Sequence, residues 1–521
     1  MVTPWHIAAL KGLLAVLGTL VLAWEAWSRT HRDLPRARLW RRRALEALGM
    51  LAFLGWWNFG YFHFSAYVQL HEFPHYFLGA KYHRELGYTR LYHCTSVADA
   101  EQGLAADVSA RWVRDLTTNK LTTGADLLSR ASECTTHFTP ERWRAFSEDV
   151  RWFRTNVSTE KWKGIHVDHG YNATPVWTMT GRVLANLAPA SRPFLLLLAL
   201  IDPVLLGLMW WLVWRTFGWA TLCAALLWWG TDFPGRFQWV GGAFLRADWL
   251  LAMVASVCLM KRGRPLLSGF ALGYSALLRV FPAIMAVGLG LREVGTWWSE
   301  RRIRLSREAI GFCAGLALSV VTLVPAASLL NAGQVFDVSD WASFYENSRK
   351  YVGTAAMNVM GLKTVVAFDP ASRSTVVGDT WLDSPWDTWK EARSLTFEER
   401  KGVFWAAVGL FTGVLALAVF RAEPWLALCL GAGLIPMSGE LACYYYAFLL
   451  IYGLALSPLP WVPVLLVALS AVTNVAPVVW KQTDDQFTAI SAALVAFVVA
   501  ATAVAWRGLS QRVRHARADV G

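Results

Sequence analysis

The stretch from Ser65 to Tyr92, SAYVQLHEFPHYFLGAKYHRELGYTRLY, carries His71, His75, His83, Glu72, Glu85, Lys81 and five tyrosines directly after an apolar segment. Titratable and aromatic side chains at that density, where a chain leaves a membrane, suit chemistry at a lipid–water boundary. His71-Glu72-Phe73-Pro74-His75 matches H-E-x-x-H. In zinc proteases an α-helix sets both His of that pattern on one face, and the Glu activates the metal-bound water. Pro74 argues against it here. A proline inside a helix removes a hydrogen bond and clashes with the preceding turn, at a cost of about 3 kcal/mol. It also biases Phe73 away from the helical region. The i, i+4 geometry survives only if Pro74 lies in a first turn, which leaves His71 outside the helix. His166-Val-Asp168-His169 could complete a metal site or simply supply loop hydrogen bonds. Glu72 alone reads differently. It lies one step beyond the membrane exit, between Leu70 and Phe73, where partial desolvation makes a carboxylate a stronger base. It could then take the proton of an acceptor hydroxyl, or serve structurally against a neighbouring His or Lys81.

Intramembrane charges form the second constellation: Arg246 and Asp248 in GAFLRADWLL, and Arg279 in ALLRVFPAI. A charge in hydrocarbon costs several kcal/mol, so it normally faces a cavity or a partner. Arg246 and Asp248 can pair locally. Arg279 has no carboxylate near it in sequence, and Pro282 breaks its helix, so it is suited to a lipid phosphate. Arg349 and Lys350, in FYENSRKYVG, are either further phosphate contacts or solvated charges.

The elements that must position these groups follow from composition. Hydrophobic residues make up 55% of the 521 and charged residues 17%, with thirty Trp. No soluble core absorbs that much apolar surface, so the chain reads as an all-α polytopic membrane protein. About thirteen transmembrane or half-spanning helices are expected, near 6–27, 44–64, 192–214, 217–232, 238–260, 265–278, 281–291, 309–330, 403–420, 424–439, 444–457, 461–480 and 487–506. The +12 charge sits in short basic loops such as RLWRRRA and KRGR, the positive-inside pattern, which argues against nucleic acid as a partner. All basic loops fall on one side if 265–291 is a hairpin turning near Arg279. The chain then divides into two N-terminal spans (1–64), a first non-cytoplasmic loop (65–191) with a helical insert (99–162), a bundle (192–330), a second non-cytoplasmic loop (331–401) and C-terminal spans with a basic tail (402–521).

Within the first loop, TPERWRAFSEDVRWFRTNV reads as an amphipathic helix capped by Thr139 with Pro140 at its first position, packing against the rest of the loop. Cys94 and Cys134 are disulfide candidates if the loop faces an oxidising compartment. Cys223, Cys258, Cys313, Cys429 and Cys443 lie in apolar runs and read as buried thiols. The sequons at Asn156 and Asn172 bear only on a glycosylating host.

The order of these features resembles the integral-membrane glycosyltransferases of the GT-C fold, in particular the bacterial branch using polyprenyl-phosphate mannose or arabinofuranose. Four places carry the likeness: Glu72 ahead of Tyr76, Tyr82, Gly87 and Leu91-Tyr92; Tyr171-Asn172-Ala173-Thr174-Pro175; Arg279-Val-Phe-Pro282 after LLSGFALGYSAL; and Ser438-Gly-Glu440 leading to Tyr444-Tyr445-Tyr446. Four features depart from the family pattern. Glu stands for the usual Asp at 72, Arg for the usual Lys at 279, Arg246 where a Gln is common, and the insert is longer.

The resemblance implies an enzyme of the outer face of a bacterial cytoplasmic membrane, with a polyprenyl-phosphate sugar donor, a lipid or glycan acceptor and membrane lipids as partners. Glu72 would be the base. His71, His75, Tyr76, Lys81, Tyr82, Tyr171, Arg246, Asp248, Arg279, Arg349, Lys350, Glu440 and Tyr444 are the candidate substrate-binding residues. No cofactor is required, and a divalent metal is compatible with the His-rich loop. Two other readings exist: a transporter or flippase for a lipid-linked saccharide, whose charges would line a path, and a metalloprotease using the HEFPH motif.

Overall fold

The computed structural model describes residues 2–31, 34–332, 338–352, 356–378 and 386–518. Almost all of the regular structure is helix. The exceptions are two two-stranded antiparallel ribbons, Trp112–Asp115 with Lys120–Thr123 and Val359–Met360 with Leu441–Ala442. Six helices are long and apolar enough to cross a membrane: Pro4–Ser28, Arg192–Phe217, Arg307–Ala332, Asp387–Val419, Trp461–Val479 and Thr483–Gln511. The other apolar runs form shorter helices, such as Trp219–Thr231, Asp248–Lys261 and Pro265–Arg279. At 1.5 Å per residue these fall short of the roughly 30 Å of hydrocarbon that a full span must cover.

Three expectations change. The 265–291 hairpin does not close on itself. Pro265–Arg279 packs against Asp248–Lys261 and Arg307–Ala332, whereas Ala286–Glu300 packs against Pro424–Gly431 and Asp387–Val419. The chain turns at Val280, a non-glycine residue at φ +52°, and Pro282 follows in a short 3₁₀ segment. Secondly, the Asp387–Val419 helix begins well inside the expected second loop, and this extension carries Arg393 and Phe397 to the site. Thirdly, Cys313 is exposed on its helix rather than buried.

The segment between the Pro35–Trp56 helix and the Arg192–Phe217 span folds as a compact unit. Thr139 caps the Pro140–Asn156 helix by accepting from the Arg142 amide, and Phe146, Val150 and Phe153 on its inner face are buried. That helix packs on the loop, as its amphipathic pattern predicts. Cys94 and Cys134 are joined in a disulfide, with their Cα atoms 5.4 Å apart. At the centre lies Asp99, fully buried. It takes Arg111 Nη1 at 3.0 Å, Arg154 Nε at 3.3 Å and Trp162 Nε1 at 2.8 Å. One carboxylate thus ties the Leu91–Asp99 helix to the residue that leads into the β-ribbon and to the Pro140–Asn156 and Thr159–His166 helices. Burial pushes the Asp99 carboxyl up, and the two guanidiniums oppose that.

The helix that ends in Arg279 is seated by close backbone approach. A Cβ added at Gly269 would lie 1.9 Å from the Phe312 carbonyl oxygen, and one at Gly315 would lie 2.0 Å from that of Leu266. Gly269-x-x-x-Gly273 therefore meets Gly311-x-x-x-Gly315, the small-residue contact by which apolar helices pack when no water drives them together. Gly269→Val should separate these helices, lower the thermal midpoint by several degrees and broaden the size-exclusion peak. Gly290→Ala, whose Cβ would meet nothing within 4 Å, should leave both unchanged. Equal behaviour of the two variants would mean that the contact does not hold the helix.

Candidate functional site

Phe73 is helical (φ −57°, ψ −44°) despite preceding Pro74, which corrects the expected bias toward extended backbone. Pro74–Leu78 forms a π turn, and Pro74, as its first residue, gives up no helical hydrogen bond there. Pro74 stands at the first position of this helix, and His71 and Glu72 precede it. The two histidines of the motif go to different partners. His71 Nε2 lies 3.1 Å from Asp168 Oδ2, and His75 Nε2 lies 2.8 Å from the Tyr92 hydroxyl. Among the described residues no group of three or more His, Cys, Asp or Glu is arranged to hold a metal ion. With the helix starting at Pro74, His71 lies outside it, so the two histidines do not stand at i and i+4 of one helix.

Glu72 pairs with neither a histidine nor Lys81. Its Oε2 accepts from Arg246 Nη2 in an ion pair whose side chains are 19% and 7% exposed. Arg246 Nη1 also donates to the Tyr76 hydroxyl at 3.2 Å, which donates on to Asn172 Oδ1 at 2.8 Å, and the guanidinium lies 4.4 Å from the Tyr76 ring centroid. The local Arg246–Asp248 pair expected from their spacing is absent. Instead Asp248, the first residue of its helix, accepts from the Trp249 amide at 2.8 Å. The backbone at Arg246 is fixed by buried Asp202, which accepts from the Arg246 amide with both oxygens at 2.9 Å and from the Ala247 amide at 3.0 Å.

The Glu72–Arg246 pair lines a cavity of ≈ 810 Å³ whose wall also includes His71, His75, Tyr76, Asp168 and Tyr444. Trp239, Phe397, Phe404 and Trp405 give it an aromatic side, and Glu440 with Lys363 a polar one. The volume and the mixed lining are those of a site for a sizeable small molecule. Burial works against the charge on Glu440, yet Arg393 at 2.9 Å and Lys363 at 2.9 Å outweigh it and hold the carboxyl below its usual range. A second cavity of ≈ 40 Å³ lies behind Arg246 and Tyr444 and is also lined by Arg279 and Tyr445. Arg279 donates to the Leu278 carbonyl, whereas its buried Nε and Nη2 have no hydrogen-bond partner among the described residues.

Glu72, His71, His75, Tyr76, Arg246, Glu440 and Tyr444 thus share one cavity, and Arg279 stands one layer behind. The remaining candidates lie elsewhere. Lys81 and Tyr82 both bind Asp149 Oδ2 at 2.8 Å and so anchor the Pro140–Asn156 helix. Tyr171 is fully buried and bonds Thr178 at 2.6 Å. Lys350 reaches the Leu116 carbonyl at 3.1 Å, and exposed Arg349 lies over Tyr345. Sequence reading gave no role to Asn172, which it met as a sequon and inside the Tyr171–Pro175 motif, nor to Asp202, Lys363 and Arg393; their roles come from contacts 44 or more residues away along the chain. The chain matches no family model, no curated protein and no solved structure.

His169, on the cavity wall, donates a pH prediction. Desolvation, with Arg114 and Lys390 adding to it against Asp168, brings its pKa down to about 4. An unfolded histidine titrates near 6.5. Between those values the unfolded chain binds the extra proton, so stability falls as pH drops from about 6.5 to 4. His169→Gln should reduce the acid slope of the unfolding free energy by up to about one proton in that window. An unchanged slope would show that His169 is not held neutral.

Proposed function

We propose that this chain is a glycosyltransferase that moves a sugar from a polyprenyl-phosphate donor to a lipid or glycan acceptor. The reaction would take place at the outer face of a bacterial cytoplasmic membrane. The observation that carries the reading is the series Glu72, Arg246, Arg279: a carboxylate on the wall of a large cavity, a cation paired with it, and a second buried cation behind. The GT-C resemblance and the apolar helices support the same assignment.

The acceptor hydroxyl gives its proton to Glu72 Oε1 or Oε2 as its oxygen attacks the anomeric carbon. The bond from that carbon to the phosphate oxygen breaks, and the pair of electrons leaves with the polyprenyl phosphate. Charge grows on the leaving phosphate, where Arg246 and Arg279 lower its energy. Pairing with Arg246 holds the Glu72 carboxylate in place between turnovers, and the Tyr76–Asn172 link holds the far side of the guanidinium. The aromatic side of the cavity suits the flat apolar faces of a sugar ring and the first isoprene units. No nucleotide takes part, which fits the lack of a glycine-rich phosphate loop in the sequence.

Glu72→Gln keeps an oxygen to accept from Arg246, so the fold should survive. Transfer from a panel of polyprenyl-phosphate sugars should fall by roughly 10²- to 10⁴-fold, the scale of a lost general base. Full activity in the folded variant would remove Glu72 as the base.

A further inference from the structure

A third pocket, of ≈ 240 Å³, lies beside the start of the first helix, and its polar lining is Lys11, Asn58, Arg236, Gln238 and Asn474. Lys11 is 4% exposed, yet its ammonium makes one hydrogen bond, to Asn58 Oδ1 at 3.0 Å. An ammonium has three protons to donate. Arg236 is half-buried over the rings of Phe233 (4.2 Å) and Trp239 (5.4 Å) and makes no ion pair or hydrogen bond among the described residues. The two cations are close enough to repel each other. The carboxylate within reach of Lys11 is Asp232, one of whose oxygens is taken by the Gly235 amide at 2.9 Å. Two cations therefore face one carboxylate.

Asn474 supplies an independent observation. It is 9% exposed, and its amide orientation is fixed because Nδ2 donates to the carbonyls of Thr231 (2.7 Å) and Ser470 (2.9 Å). Its Oδ1 is left buried with no partner, although it lines the pocket. A buried acceptor without a donor costs about 1–3 kcal/mol. Two donors with spare capacity and one idle acceptor together describe a ligand with anionic oxygens and a hydroxyl. The rest of the lining is apolar: Pro4, Ile7, Ala8, Phe64 and Phe233. It lies at the end of a helix long enough to span, next to Trp5, which is 67% exposed. Tryptophan at such a position marks the headgroup level of a bilayer.

We propose that this pocket binds the headgroup of an anionic phospholipid. Lys11 and Arg236 hold the phosphate oxygens, Asn474 Oδ1 accepts from a headgroup hydroxyl, and the lipid's glycerol and chains run along the apolar wall. The site is separate from the proposed transfer chemistry and shares only Gln238 with the large cavity.

Native mass spectrometry of the full chain, titrated with phosphatidylglycerol, tests this by binding rather than turnover. The wild type should retain one phosphatidylglycerol with an affinity well above that for diacylglycerol. Arg236→Gln, a half-exposed position that should not disturb folding, should weaken retention by about tenfold, the loss of one charge-assisted contact. Lys11→Arg should keep retention, and Lys11→Gln should lose it. Equal retention by folded Arg236→Gln and wild type would overturn the proposal. So would displacement of the lipid by glycerol 3-phosphate at equimolar concentration, because the ligand would then be a soluble phosphate.

Discussion

The half-hidden ion pair between Glu72 and Arg246 is the interaction on which the site depends. Removing both charges from water is costly, and their attraction repays it only with good geometry and further hydrogen bonds. Those bonds are present. Asp202 accepts from the Arg246 and Ala247 amides, and Tyr76, itself bonded to Asn172, accepts from Arg246 Nη1. Each of these partners comes from a different part of the chain. Tyr76 belongs to the π turn, Asn172 precedes the Pro175–Ala185 helix, and Asp202 sits near the start of the Ile201–Phe217 helix. The pair thus fixes where three elements meet, and the cavity wall follows from that meeting.

Close helix contacts set the depth behind the pair. Gly269 and Gly315 let the Pro265–Arg279 helix lie directly on its neighbour, and Val280 at positive φ then ends it abruptly. Arg279 is delivered to the small cavity at that end, beside the same Tyr444 that walls the large one. A bulkier helix face would move the guanidinium outward by a side-chain diameter. The arginine's position therefore rests on glycines four residues apart, with Asp248 and the Tyr445 ring as its electrostatic neighbours.

Much of this was legible from residue types alone. The helical class, the Thr139 cap and the Cys94–Cys134 pairing all depend on local rules, and each has its counterpart in the structure. Glu72 could be singled out because a lone carboxylate at a membrane exit is rare. Its partner could not. Arg246 lies two residues from Asp248, and spacing favours that local pair; only the fold brings Glu72 closer. Local rules also failed at Phe73, which is helical although a proline follows it. Lys350, Lys81 and Tyr82 have the right chemistry for a site, but they sit where the compact loop needs anchors. A sequence does not distinguish a cation that binds ligand from one that binds a carbonyl.

What does distinguish them is the count of unmet bonds. Lys81 has Asp149 and the Ala188 carbonyl, and Arg111 has Asp99 and Ser96, so their charges are answered within the protein. Arg279 keeps two buried nitrogens without acceptors, and Lys11 and Arg236 outnumber the carboxylate beside them. Burying a cation without a counter-charge is too costly to persist as packing. In a chain rich in apolar helices, the anions on hand to meet that need are the phosphates of lipids and of lipid-linked substrates. One unmet cation lies behind the large cavity and the others lie at the end of the first helix. The two proposed phosphate sites, one for a reacting molecule and one for a resident lipid, answer the same physical demand.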